Sequence, residues 1–173
     1  MASTSTENAS SSFSPSSSSS ITPRRGYKYD VFVSFRGSDT RKKFTSHLYA
    51  ALERSGLTTY RDDENLERGA SIAPELLRAI EESRFAVVIF SRDYASSSWC
   101  LTELAKIVEC IEKDMIVLPI FYHVDPSDVQ YQRGTFAEAF AKHEKRFKDN
   151  ILDTWRAALA KVAKISGIHL QDQ

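Results

Sequence analysis

An α/β fold, with one parallel sheet sandwiched between layers of helices, is the class this sequence predicts. Two observations carry it. Short apolar runs alternate with helical patterns from Tyr29 onward, and those runs are continuously apolar instead of alternating with polar residues. Continuous hydrophobicity means that both faces of a strand are covered, as in a parallel sheet between helices. Strand–helix alternation with right-handed crossovers then gives a flavodoxin-like three-layer sandwich around a central parallel sheet.

The elements follow in order. Val31-Phe32-Val33 is a buried strand that breaks at Arg36-Gly37 and restarts as a helix with Phe44, Leu48, Ala51 and Leu52 on one face. Leu57 to Tyr60 is a second strand, followed by a charged loop and a helix carrying Ile72, Leu76, Leu77 and Ile80. The run from Phe85 to Phe90 leads into a serine-rich loop and a helix with Leu101, Leu104, Val108 and Ile111. Met115 to Tyr122 is the next strand, and Pro119 within it predicts an edge position or a bulge. A polar loop and a helix carrying Phe136, Phe140 and Phe147 come next. Trp155, Ala158, Leu159 and Val162 have the i, i+3, i+4, i+7 spacing of a last helix.

Composition sets the limits. Residues 1–26 are serine-dominated, with one acid and almost no aliphatics, and cannot bury enough apolar surface to offset their chain entropy. They are expected to be a disordered leader, although Arg24-Arg25 and the scarcity of acids give a faint likeness to an organelle transit peptide. One domain is expected over 27–170, with 171–173 opening a linker. With 23 basic and 23 acidic residues, the chain has no net charge to favour nucleic acid or a membrane surface. Its apolar runs fall well short of the ~20 residues of a membrane span.

Cys100 and Cys110 lie in one predicted helix, about 15 Å apart along its axis. A disulfide needs Cα atoms within about 7 Å. Two free thiols fit a reducing compartment, so the expected location is the cytoplasm, or cytoplasm and nucleus together. No histidine pair has metal-ligand spacing, and no metal site is predicted.

Function should sit where strands end at their carboxyl edge. Four loops meet there, beginning at Arg36-Gly37, Asp62-Asp63, Ser91 and His123. There is no phosphate-cradling glycine loop with its lysine, Gly37 alone is no dinucleotide fingerprint, and Arg36 opposes a magnesium site. In the third loop Ser97 or Ser98 is a good N-cap, so a helix starts near Trp99. Glu103 then lies just over one turn in, beside the buried stripe and near the rim, where the helix N-terminus favours its ionised form. Trp99 offers a flat face for an aromatic ring. Against this stands the plain alternative of a core tryptophan and an ordinary solvated acid.

Motifs spread over the foldable part then resemble the Toll/interleukin-receptor (TIR) domains of plant intracellular immune receptors. They are Tyr29-Asp-Val-Phe-Val-Ser-Phe-Arg-Gly37 with Asp39-Thr-Arg41, Tyr60-Arg-Asp-Asp63 with Arg68-Gly69, Ser98-Trp-Cys-Leu-Thr-Glu-Leu104, Pro119 to Ser127, Gly134 to Phe140, and Trp155-Arg156. The resemblance implies the TIR fold with its central five-stranded parallel sheet, self-association, and hydrolysis of NAD+ or NADP+ as substrate with release of nicotinamide, without a cofactor. It implies Glu103 as the catalytic residue. Arg36, Gly37, Asp62 and Trp99 are its implied substrate contacts, joined by Ser91 at the head of the third loop. Ser46 and His47 match the pair on the first helix through which family members pack symmetrically. The loop 62–72 would meet 153–165 of a neighbour head to tail.

Two departures from the family pattern, Ser38 for Glu and Gln130 for Arg, bear on contacts between subunits. A single acid suffices chemically, because nicotinamide leaves NAD+ as a neutral ring and needs no proton. The competing expectation is a non-catalytic module that recruits other TIR domains through the same surfaces.

Overall fold

The computed structural model describes residues 27–60 and 74–171. The leader 1–26, Asp62 and the loop 62–72 lie outside them. Five strands form one parallel sheet in the order β2-β1-β3-β4-β5: β1 Tyr29–Ser34, β2 Thr59–Tyr60, β3 Ser83–Phe90, β4 Ile116–Tyr122 and β5 Ile168–Leu170. Five parallel strands flanked by helices is the predicted fold. The last strand has no apolar run of its own, so only its pairing with Ile120, Phe121 and Tyr122 reveals it.

The side chains sort by strand parity. Val31, Val33, Phe35, Val87, Ile89 and Ile120 pack with Tyr49 of α2 (Ser46–Arg54) on one face. Phe32, Ala86, Val88, Phe90 and Phe121 face the larger core. That core is completed by α3 (Pro74–Glu81), α4 (Ser98–Ile111), α6 (Thr135–His143) and α7 (Asp149–Ala163). Each fully buried aliphatic or phenyl side chain contributes about 1.5–3 kcal/mol.

Several expectations need correction. The first helix is not one regular element: α1 (Gly37–Thr40) runs into a π-helical turn, Arg41–Thr45, before α2 begins. Buried hydroxyls of Thr40 and Thr45 bond across that turn at 2.7 Å. The polar loop after β4 contains a short helix, α5 (Pro126–Gln130), whose N-cap Asp125 accepts from the Ser127 amide. Backbone and side-chain bonds from Ser127 hold the Asp125 carboxyl below its ordinary value. Phe147 does not belong to the helix of Phe136 and Phe140. It lies in the turn after α6, edge-on to Trp155 at 4.9 Å between ring centres.

Pro119 is not on an edge strand, since β4 pairs with β3 along its length. The ladder to β5 starts only at Ile120, one residue later, so the proline falls before that pairing begins. Gly167 packs directly against it. A Cβ at Gly167 would stand 2.2 Å from the Pro119 carbonyl oxygen.

Candidate active site

In this strand order the chain passes from β1 to β2 on one side and from β3 to β4 on the other, and the crevice between the carboxyl ends of β1 and β3 is where ligands of open α/β sheets collect. Ser34 is the last residue of β1 and pairs with Val88 of β3. Beyond β1 come Phe35, then half-buried Arg36 and Gly37. Beyond β3 come Ser91 and a 3₁₀ turn, Tyr94–Ser96. Ser97 then caps α4 with its hydroxyl, accepting from the Cys100 amide at 3.1 Å, as the sequence predicts.

Glu103 comes back over the end of β1 from α4. Its carboxylate accepts a hydrogen bond from the Ser34 hydroxyl at 2.7 Å. It reaches the strand-end rim but is buried there, 3% exposed, rather than standing beside the buried stripe as the sequence suggested. The buried face of α4 is broad, taking in Cys100, Leu101, Leu104 and Ile107, and Glu103 lies three residues from the first and four from the last. It therefore shares their stripe.

Ser34 in turn lies 2.8 Å from the Tyr94 phenol, and that phenol reaches the Cys100 carbonyl at 3.1 Å. Ser34 and Tyr94 are both fully buried. Burial holds the Tyr94 phenol well above its ordinary value, and nearby Cys100 and Glu103 add to the shift while the Ser34 bond offsets part of it. The phenol is therefore neutral and can donate. His143 of α6 anchors the same loop from behind, with its Nε2 2.8 Å from the Ala95 carbonyl.

Of the other predicted contacts, Trp99 is half-buried beside the main core. Arg36 donates through Nη1 to the Ser38 hydroxyl. Ser91 is buried beneath the loop, its carbonyl accepting from the Tyr94 amide. Asp62 lies outside the described residues. Ser46 and His47 are exposed at the start of α2. Both cysteines are buried free thiols. A recess of about 230 Å³ lined by Tyr27, Ser83, Cys110 and Met115 lies at the opposite, amino edge of the sheet and is no part of this rim.

Sequence reasoning passed over Ser34 and Tyr94. The signals were present: a serine closing the apolar run of β1, and a single aromatic residue in a serine-rich loop.

A parallel sheet with helices on both faces and a buried carboxylate at its switch point defines an open α/β domain. More particularly, the chain belongs to the TIR domain family, whose model matches residues 28–173. It is 59% identical over 168 residues to disease resistance protein RPV1 of Vitis rotundifolia, covering 95% of this chain and 12% of that protein. It is 54% identical to TMV resistance protein N of Nicotiana glutinosa, covering 82% and 13%. Among solved structures it is similar to the TIR domains of the activated Roq1 resistosome directly recognizing the pathogen effector XopQ. That match has 55% identity and a TM-score of 0.74 over 83% of this chain and 88% of that one. The chain thus spans about an eighth of the length of the curated relatives it matches.

Proposed function

We propose that this TIR domain hydrolyses the nicotinamide–ribose bond of NAD+ or NADP+ when copies of it assemble, as the signalling end of a plant disease resistance receptor. The observation that supports this most is the carboxylate of Glu103, buried at the switch-point crevice and held by Ser34. A fixed negative charge in a water-poor site stabilises the oxocarbenium character that grows on the ribose as the C1′–N bond breaks. The bonding pair leaves with the pyridinium nitrogen, so nicotinamide departs neutral and needs no acid. Trp99 offers the departing ring a flat wall, and Arg36 and Gly37, with Asp62 and Ser91, form the remaining contacts. No helix among the described residues is long and apolar enough to cross a membrane, and the cytoplasm is the proposed location.

The test is nicotinamide release from NAD+ by concentrated domain. Because Glu103 is buried, Glu103→Gln is a cleaner variant than Glu103→Ala: its amide oxygen still accepts from Ser34. Release is expected to fall at least about 10²-fold, with the melting temperature nearly unchanged. Equal release from wild type and Glu103→Gln would sink the assignment.

The second reading, a recruiting module without chemistry, draws on the exposure of Ser46 and His47. It expects receptor signalling to survive Glu103→Gln and to be lost in His47→Ala. Loss in both variants favours the enzyme that must assemble to act.

A further inference from the structure

We propose that Ser34 and Tyr94 are positioning residues that form a reversible hydrogen-bond relay beneath Glu103, able to hold its carboxyl in both protonation states during turnover. The inference rests on the hydrolase reading above. Three side chains and one carbonyl lie in a line: Glu103 Oε1, Ser34 Oγ at 2.7 Å, Tyr94 Oη at 2.8 Å from that hydroxyl, and Cys100 O at 3.1 Å from the phenol. None of the three side chains is more than 3% exposed, so bulk water cannot easily stand in for any of these bonds.

The donor arithmetic allows two arrangements. With Glu103 ionised, Ser34 gives its one hydrogen to the carboxylate and accepts from Tyr94. With a proton on Oε1, Glu103 donates to Ser34, Ser34 donates to Tyr94, and Tyr94 turns its hydrogen to the Cys100 carbonyl. Every hydrogen has an acceptor in both states, and no heavy atom needs to move. A buried polar group that loses its partner carries its full desolvation penalty, and the relay avoids that penalty in either direction.

Hydrolysis needs both states. Bond cleavage leaves a cationic ribose that an ionised Glu103 stabilises. The oxygen of water then forms the new bond to C1′, and one of its protons passes to the carboxylate, to be released to solvent before the next cycle. Loss of nicotinamide, addition of water and release of one proton balance the reaction without any further reactant.

The experiment compares Ser34→Ala, Ser34→Thr and Tyr94→Phe with wild type in nicotinamide release at saturating and limiting NAD+, with thermal melts alongside. None of these side chains touches substrate in this scheme. Ser34→Ala is therefore expected to lower kcat on the order of 10²-fold, with KM within about twofold of wild type. Ser34→Thr, which keeps the hydroxyl, should recover most of the loss. Tyr94→Phe removes one buried oxygen while preserving ring packing, and should lower kcat about tenfold. If a Ser34 variant fails to fold, Tyr94→Phe decides alone. Wild-type release that Tyr94→Phe leaves unchanged overturns the relay and spares the hydrolase. No release from wild type overturns both.

Discussion

Gly167 and Gly56 show how much a single missing methyl can mean, and for different reasons. Gly56 closes α2 with φ +81°, its amide bonding to Glu53 O and the next amide, of Leu57, to Leu52 O. This is the Schellman pattern. Nothing lies within 4 Å of a Cβ placed there, so Gly56→Ala carries only the left-handed penalty, about 1–2 kcal/mol. At Gly167 the obstacle is the Pro119 carbonyl, a backbone atom held in the β3–β4 ladder. Gly167→Ala is expected to cost about 1–3 kcal/mol through displacement of β4 or β5. Urea unfolding of the two variants checks both, and a neutral Gly167→Ala would contradict the close approach. The same residue scale shows what a sequence conceals. Glu103 was legible through its motif, but the fold brings Ser34 to it across 69 residues and to Tyr94 across 60, and hydroxyls carry no periodic signal.

Between elements, α3 and α4 are tied by Lys106, which pairs with Glu81 across the helices and with Glu109 on its own helix. The hydrogen bond and charge of Lys106 hold the Glu81 carboxyl below its ordinary value, while the bond to Glu81 raises Lys106. The signs follow from linkage. The Glu81 contribution is present above the ordinary carboxylate range and is lost as pH falls through the lowered value. The Lys106 contribution is present below its ordinary value and is lost as pH rises through the raised one. For this half-exposed pair about 0.2–1 kcal/mol is expected. Lys106→Met should lower the melting temperature slightly at pH 7 and flatten its decline below about pH 4. An unchanged acid slope would count against the tie. Elements as a class were read well where an apolar stripe marked them and poorly where it did not: α5 begins on an Asp-Pro cap within a polar stretch, and β5 is three residues long.

At the scale of the whole molecule the sheet is unevenly protected. β1, β3 and β4 form its centre, while β2 and β5 contribute two and three residues at the edges. Four helices serve one face, whereas among the described residues α2 and Phe44 of the π turn serve the other, leaving Ile116, Leu118 and Ile168 exposed. Native-state hydrogen exchange should therefore be slowest at the amides of Val87 to Phe90 and Ile120 to Phe121, and markedly faster at β5. Equal protection in β5 and β3 would contradict that gradient. The centre of the sheet was legible from apolar runs because both faces of β1 and β3 are filled. The position of Glu103 was not, because it depends on how α4 is rotated about its axis over β1, which composition does not encode.

The π turn at Arg41–Thr45 can be regarded as a one-residue insertion that the helix has absorbed. A π turn closes its hydrogen bonds over one residue more than the α turn it stands in for. Deleting Lys43 should therefore iron out the bulge while leaving Arg36 on one side and His47 on the other in register. Such a deletion variant is expected to fold and to associate as wild type does, which analytical ultracentrifugation can measure. If its catalysis fell while association persisted, the surplus residue would prove to be a spacer tuned for the crevice.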